Sequence, residues 1–225
     1  METMTHLLNI NNVFFTFLGY QMSYLEFYGS ILNLLSVWLV TRNNIWNWPV
    51  GNIGVVLFGV LFYQIRLYSD LLEQIYFLIT GFYGWWAWIH FRRKNIFSNK
   101  LEMPITNNSR KSNIVYLFII ITGTFLMGYI MGNIHRYLPK IFPEPASFPF
   151  LDAFTTILSF AATILMAYKR IECWYLWILV DVIGIGLYYT KNVVFVALLY
   201  CIFLVLATNG FFNWRRIQRT YVVNI

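Results

Sequence analysis

Charge is the scarcest property of this chain. Only 11% of its 225 residues are Asp, Glu, Lys or Arg, against about 25% in a soluble domain, which excludes a water-soluble globular protein. Histidine occurs three times and cysteine twice. Cys173 and Cys201 both lie inside apolar runs and read as small buried apolar side chains, so neither a disulfide framework nor a metal site is expected. The sequence has no H-E-x-x-H motif, no mid-span histidine and no Ser–His pairing, which argues against an integral membrane enzyme. It also lacks G-x-x-x-x-G-K-[ST], so no ATP-driven step and no cofactor are expected. The N-terminus has no basic start and no small-residue cleavage site, so no cleavable signal peptide is expected.

What the chain has instead is apolar and aromatic surface: 59% hydrophobic residues, 20% of the total aromatic. The fold class that follows is an all-α integral membrane protein, since a bilayer core of about 30 Å is crossed by helices of about 20 apolar residues. The net charge of +7 does not point to nucleic acid. The basic residues gather between apolar runs, as flanking charges do in membrane proteins, so the expected surroundings are a lipid bilayer.

Seven core spans are predicted. They run from about Tyr24 to Thr41, Trp46 to Ile65, Ser69 to His90, Asn113 to His135, Phe150 to Tyr168, Cys173 to Tyr189, and Asn192 to Trp214. Residues 1–23 precede them. Within that segment, LLNINNVFFTFLGY (7–20) is too short to cross. On a helix it sets Ile10, Val13, Phe14, Phe17 and Leu18 against Asn9, Asn12 and Thr16. An interfacial helix is expected, or else the start of a short extra span. Residues 24–94 and 150–216 each hold three spans. Residues 95–149 hold two connections and the fourth span, and 217–225 form a tail. Twelve basic residues flank one side and four (Arg66, Arg136, Lys140, Lys191) the other. The positive-inside rule then places the C-terminus in the cytoplasm.

One stretch stands out, ECWYLWILVDVIGIGLYY (172–189). Its only mid-span charge is Asp181, and helical spacing puts Trp174, Trp177, Asp181, Gly184 and Tyr188 on one face. A carboxylate in hydrocarbon costs a few kcal/mol at least, so Asp181 should face a polar interior. Two indoles beside an anion suit a flat, cationic or aromatic ligand. A second stripe, Trp48, Asn52, Gly59 and Tyr63, shares a face of span two, and Gln74 shares one with Asp70, Phe77 and Gly81 in span three. Asn52 and Gln74 offer amides to hydroxyl groups, and Tyr63, Tyr188, Asn192 and Tyr200 complete the candidate binding set. Glu73 reads as a residue favoured by a helix N-terminus. Trp85, Trp86, Trp88 and Trp214, beside basic tails, read as interface anchors.

Spans one to three and five to seven resemble each other at offsets of 125 to 129 residues. Three spans plus one linker return the chain to the same side, so the halves are expected to be parallel repeats related by an axis along the membrane normal. A short N-terminal helix and a linker helix complete that fold.

The WYLW motif followed by Asp181, the WNWPVGN stretch heading span two and the LLYCIF stretch in span seven resemble the PnuC family of bacterial nicotinamide riboside transporters, over about residues 24 to 216. The resemblance implies a fold similar to that of the SWEET sugar transporters, residence in the bacterial inner membrane, and a homotrimer. It also implies uptake of nicotinamide riboside by facilitated diffusion, with phosphorylation in the cytoplasm trapping the vitamin. The alternatives are a proton-coupled carrier of a related small aromatic or sugar solute, a membrane enzyme, and a receptor or assembly subunit that transports nothing.

Overall fold

The computed structural model describes residues 8–17, 19–65, 68–94, 101–139, 148–190 and 194–222. Among these residues are seven long helices: α1 (Tyr24–Thr41), α2 (Asn47–Gln64), α3 (Tyr68–His90), α4 (Arg110–Tyr137), α5 (Pro149–Ala167), α6 (Glu172–Thr190) and α7 (Val194–Val222). The stretches Arg110–Tyr137, Pro149–Ala167, Glu172–Thr190 and Val196–Thr220 are long and apolar enough to cross a membrane. The chain is a multi-pass membrane protein. Consecutive helices pack as α1–α2–α3 and as α5–α6–α7. The two groups meet where α3 packs on α5 and α1 on α7, while α4 packs chiefly on α5.

The N-terminal segment differs from the helix expected there. Val13–Phe17 (β1) and Tyr20–Ser23 (β2) form an antiparallel hairpin. The run VFFTF is β-branched and aromatic, which suits a strand, and Gly19 takes a φ of 81° in the turn, a conformation that costs glycine little. Phe14 lies on Tyr24 and Phe27, at centroid distances of 4.7 and 5.0 Å. The hairpin feeds into α1 through a capping box: the Glu26 amide donates to Ser23 Oγ, and Glu26 Oε2 accepts from the Ser23 amide. Two orphan donors of the first turn are satisfied in this way.

Matched features recur 126 residues apart. Trp48 lies across Gly84, and Trp174 lies across Gly210. A Cβ at either glycine would stand 2.4 Å from the indole, so only hydrogen fits there. Each ring meets a second indole edge-on, Trp48 against Trp88 at 5.6 Å and Trp174 against Trp214 at 5.3 Å. Each second indole then ties its own group of helices to the other. Trp88 Nε1 donates to the Met166 carbonyl at 3.3 Å and Trp214 Nε1 to the Val40 carbonyl at 2.8 Å. The turns that follow carry the two non-glycine residues with positive φ among those described, Asn43 at 56° and Lys169 at 49°. Trp88 and Trp214, expected as interface anchors, are therefore core residues, 3% and 0% exposed. Their indole N–H groups find carbonyl acceptors inside the protein, so water is not needed. Trp86 is 46% exposed.

A strap closes this end of the bundle. Arg93–Lys94 (β3) pairs with Leu101–Glu102 (β4), and Met103 and Ile105 enter the core. Thr106 donates to the Lys169 carbonyl and accepts from Ile171, both at 3.1 Å. Arg170 bonds the Thr106 hydroxyl and the Asn107 carbonyl, and the Asn108 amide donates to Glu172 Oε1. From α7, Gln218 reaches Asn107 at 2.9 Å. The last helix thus continues to Val222, and residues 217–222, expected to be tail, belong to it. Lys169 is 3% exposed, with its ammonium 4.0 Å from the Trp88 ring centre. Burial holds it down to about 8, with Glu102 opposing and Arg92 adding to the shift.

Candidate functional site

Asn52 of α2 and Asp181 of α6 are both buried, 8% and 4% exposed. Each lies where glycine allows close packing. The Asn52 amide presses on Gly81 of α3, and one turn beyond Asp181 the ring of Tyr200 from α7 covers Gly184. A buried amide wants partners, yet Asn52 Nδ2 has none among the described residues. Trp177 Nε1 is likewise buried and without a partner there. Its indole bridges two apolar clusters, one containing Trp174 and Trp214, the other containing Ile120, Leu158 and Val180. Gln74 faces Gly59 across the α2–α3 contact, its Cβ 3.8 Å from where a glycine Cβ would stand.

Tyr188 and Tyr200 stack at 5.4 Å with their planes 23° apart. Four carboxylates act on this pair. Asp70, Glu73 and Asp152 reach Tyr188, while Glu73, Asp181 and Asp70 reach Tyr200. Asp70 and Glu73 come from α3, Asp152 from α5 and Asp181 from α6, so carboxyl groups of both helix groups stand near the two stacked phenols. No group of three His, Cys, Asp or Glu among the described residues is close enough to hold a metal ion. The groups at hand are tyrosine and tryptophan rings, carboxyl groups and amides, which suit a flat organic solute with hydroxyl groups.

The structure separates the expected site residues into three sets. Asn52 and Gln74 stand at the α2–α3 contact, Tyr188 and Tyr200 at the α6–α7 contact with Tyr200 pressed on Gly184, and Trp177 and Asp181 on α6 between them along the chain. Trp48 and Trp174 are each sealed between a glycine and an indole, 5% and 1% exposed, and offer no free ring face. Tyr63, in the last turn of α2, is 65% exposed and nothing among the described residues covers it. Spacing sets the azimuth of a side chain, not what stands opposite it. Asn192 lies outside the described residues. Sequence reasoning missed the gathering of Asp70, Glu73 and Asp152 about Tyr188. The signal was there: all three start spans that begin on the side where span six ends.

Ionisable residues within membrane helices mark pathways for substrates and ions, and this fold and site define a small-solute membrane transporter. The chain belongs to the family described as nicotinamide mononucleotide transporter, whose model matches residues 23–216. It is 31% identical over 211 residues to the "Nicotinamide riboside transporter PnuC" of Escherichia coli (strain K12), covering 87% of each chain. It is 25% identical over 207 residues, 91% of each chain, to the "Riboflavin/roseoflavin transporter RibM" of Streptomyces davaonensis. Its fold matches a structure described as "Crystal structure of the Vitamin B3 transporter PnuC", with a TM-score of 0.68 at 22% identity, over 88% of this chain and 83% of the other.

Proposed function

We propose that this protein carries nicotinamide riboside across the bacterial inner membrane by facilitated diffusion, alternating access between two halves. The observation that carries the reading is the stacked Tyr188–Tyr200 pair with carboxyl groups of both helix groups near it. The pyridinium of nicotinamide riboside is flat and cationic, so it is attracted to ring faces and favours the ionised form of a carboxyl group beside it. Its ribose hydroxyls match Asn52, whose amide lacks a partner among the described residues, and Gln74. Names of relatives favour the same solute. Residues 24–94 and 150–216 are read as parallel three-helix repeats, joined through 95–149 by α4. The recurrence of packing features at 126 residues supports that arrangement. All seven helices are taken to span, with the C-terminus in the cytoplasm because twelve of sixteen basic residues flank that side. A homotrimer is the state that the family resemblance implies.

A binding isotherm on the purified chain tests the proposal, with nicotinamide riboside, nicotinamide, nicotinic acid riboside and riboflavin as ligands. Nicotinamide riboside should bind best, because only it pairs a cationic ring with a ribose and carries no carboxylate to repel the acidic cluster. Tighter binding of riboflavin would reassign the substrate. Flux into liposomes that persists at equal proton concentration on both sides supports diffusion, and flux that requires a proton gradient overturns it.

A further inference from the structure

Between α1 and α7, at the end closed by the strap, an open groove of about 610 Å³ is lined by Arg42 and Arg216 together with Asn209, Asn213, Trp38 and Phe212. We propose that it holds the phosphate of an anionic phospholipid headgroup. The Arg42 guanidinium stacks 4.1 Å over the Trp38 ring, which fixes its plane while leaving its N–H edge free to meet an anion. Asn209, Asn213 and Arg216 follow one another at helical spacing along one face of α7. Asn213 Nδ2 is committed to the Thr41 carbonyl at 2.7 Å, which pins α7 to α1 and makes the floor rigid. Trp38 and Phe212 are 40% and 63% exposed, apolar surface beside a cationic head, as a lipid with its tail alongside requires. No acidic side chain among the described residues lines the groove. The carbonyl end of α1 opposes an anion with about half a unit of negative charge, which two guanidinium groups outweigh.

The rest of the molecule supplies a comparison. At the positions 126 residues away, between α3 and α5, paired aromatic side chains take the places of the groove residues. Tyr168 stands where Arg42 stands, Tyr83 where Asn209 stands, and their hydroxyls bond each other. His90 takes the place of Arg216 and stacks on Trp86, the counterpart of Phe212, at 4.8 Å. The backbone packing recurs, but one copy is filled by paired aromatics and the other is open and doubly cationic. Two guanidinium groups left facing one groove suit a bound anion.

Native mass spectrometry of the full chain in neutral detergent tests this, with phosphatidylglycerol, phosphatidylcholine and inorganic phosphate as probes. Phosphatidylglycerol adducts should survive about tenfold better than phosphatidylcholine adducts, whose choline meets two arginines, and the R42Q/R216Q variant should lose that preference. The H90Q variant, at the matching aromatic positions, should keep it. If the double variant does not elute as a single folded species, R216Q alone carries the test, since Arg216 is exposed; it should lose most of the preference. Equal retention of the two lipids overturns the proposal, as does retention unchanged by removal of the arginines. Displacement of phosphatidylglycerol by an equal concentration of inorganic phosphate overturns the lipid assignment.

Discussion

Replacing Gly210 by alanine tests the packing that joins the two helix groups. The new Cβ would stand 2.4, 2.5 and 2.6 Å from Cη2, Cζ2 and Cζ3 of Trp174, where carbon atoms prefer about 3.5–4.0 Å. The indole must move about 1 Å or more. It has nowhere to go, because it is 1% exposed and meets Trp214 edge-on at 5.3 Å. Trp214 in turn is held by its 2.8 Å bond to the Val40 carbonyl. Overpacking of this kind costs about 1–3 kcal/mol, and weakening the indole bond adds about 1 kcal/mol. Alanine recovers somewhat under 1 kcal/mol of helix propensity. The net loss is about 1–3 kcal/mol, a fall of about 2–12 °C for a chain of this size. Thermal unfolding in detergent, followed by size exclusion at a fixed heating rate, measures it. The three colliding atoms belong to the six-membered ring that phenylalanine cannot place there. W174F should therefore rescue G210A, with a coupling of about 2 kcal/mol in the double-mutant cycle. Gly84→Ala with Trp48→Phe should behave alike. A G210A protein that melts with the wild type, or one that W174F does not rescue, would refute the reasoning.

Trp177→Ala removes ring area and any cation–π attraction, together about 1–2 kcal/mol, so affinity for nicotinamide riboside should fall about five- to thirtyfold in a binding isotherm. Asp181→Asn should weaken nicotinamide riboside more than its uncharged reduced analogue if the carboxylate acts through charge; equal losses would assign it to a hydroxyl, and no loss in folded protein would remove it from the site. Lys169 carries a depressed folded pKa of about 8 against about 10.4 when unfolded. The unfolded chain then holds the extra proton between those values, so stability should rise as pH goes from about 8 to 10, by up to about 3 kcal/mol. Lys169→Met should abolish that rise in melting curves taken across the range. A cysteine at exposed Lys111 should resist an impermeant thiol reagent in intact cells and react after lysis; labelling of intact cells would reverse the orientation.

The sequence by itself determined the class. Low charge, long apolar runs and basic flanks leave a membrane protein as the economical solution, because backbone polar groups in lipid must be satisfied within helices. The start of the first span at Tyr24 was legible, and Ser23 and Glu26 close it as a capping box. Asp181 and Asn52 were legible as buried polar groups, since each interrupts an apolar run. The hairpin at 13–23 was not, because a short apolar stretch satisfies helical and strand spacing alike until Gly19 decides the turn. Only the tertiary structure separated the tryptophans. Trp48, Trp174 and Trp177 look equivalent along the chain, yet what each ring meets is decided by packing: Gly84, Gly210, or the seam of two apolar clusters. The same holds for Trp88 and Trp214, whose partners, Met166 and Val40, lie in the opposite helix group. The acidic surround of Tyr188 and Tyr200 is likewise a property of α3, α5, α6 and α7 together. Spacing within a helix sets direction, and only packing between helices decides what that direction meets.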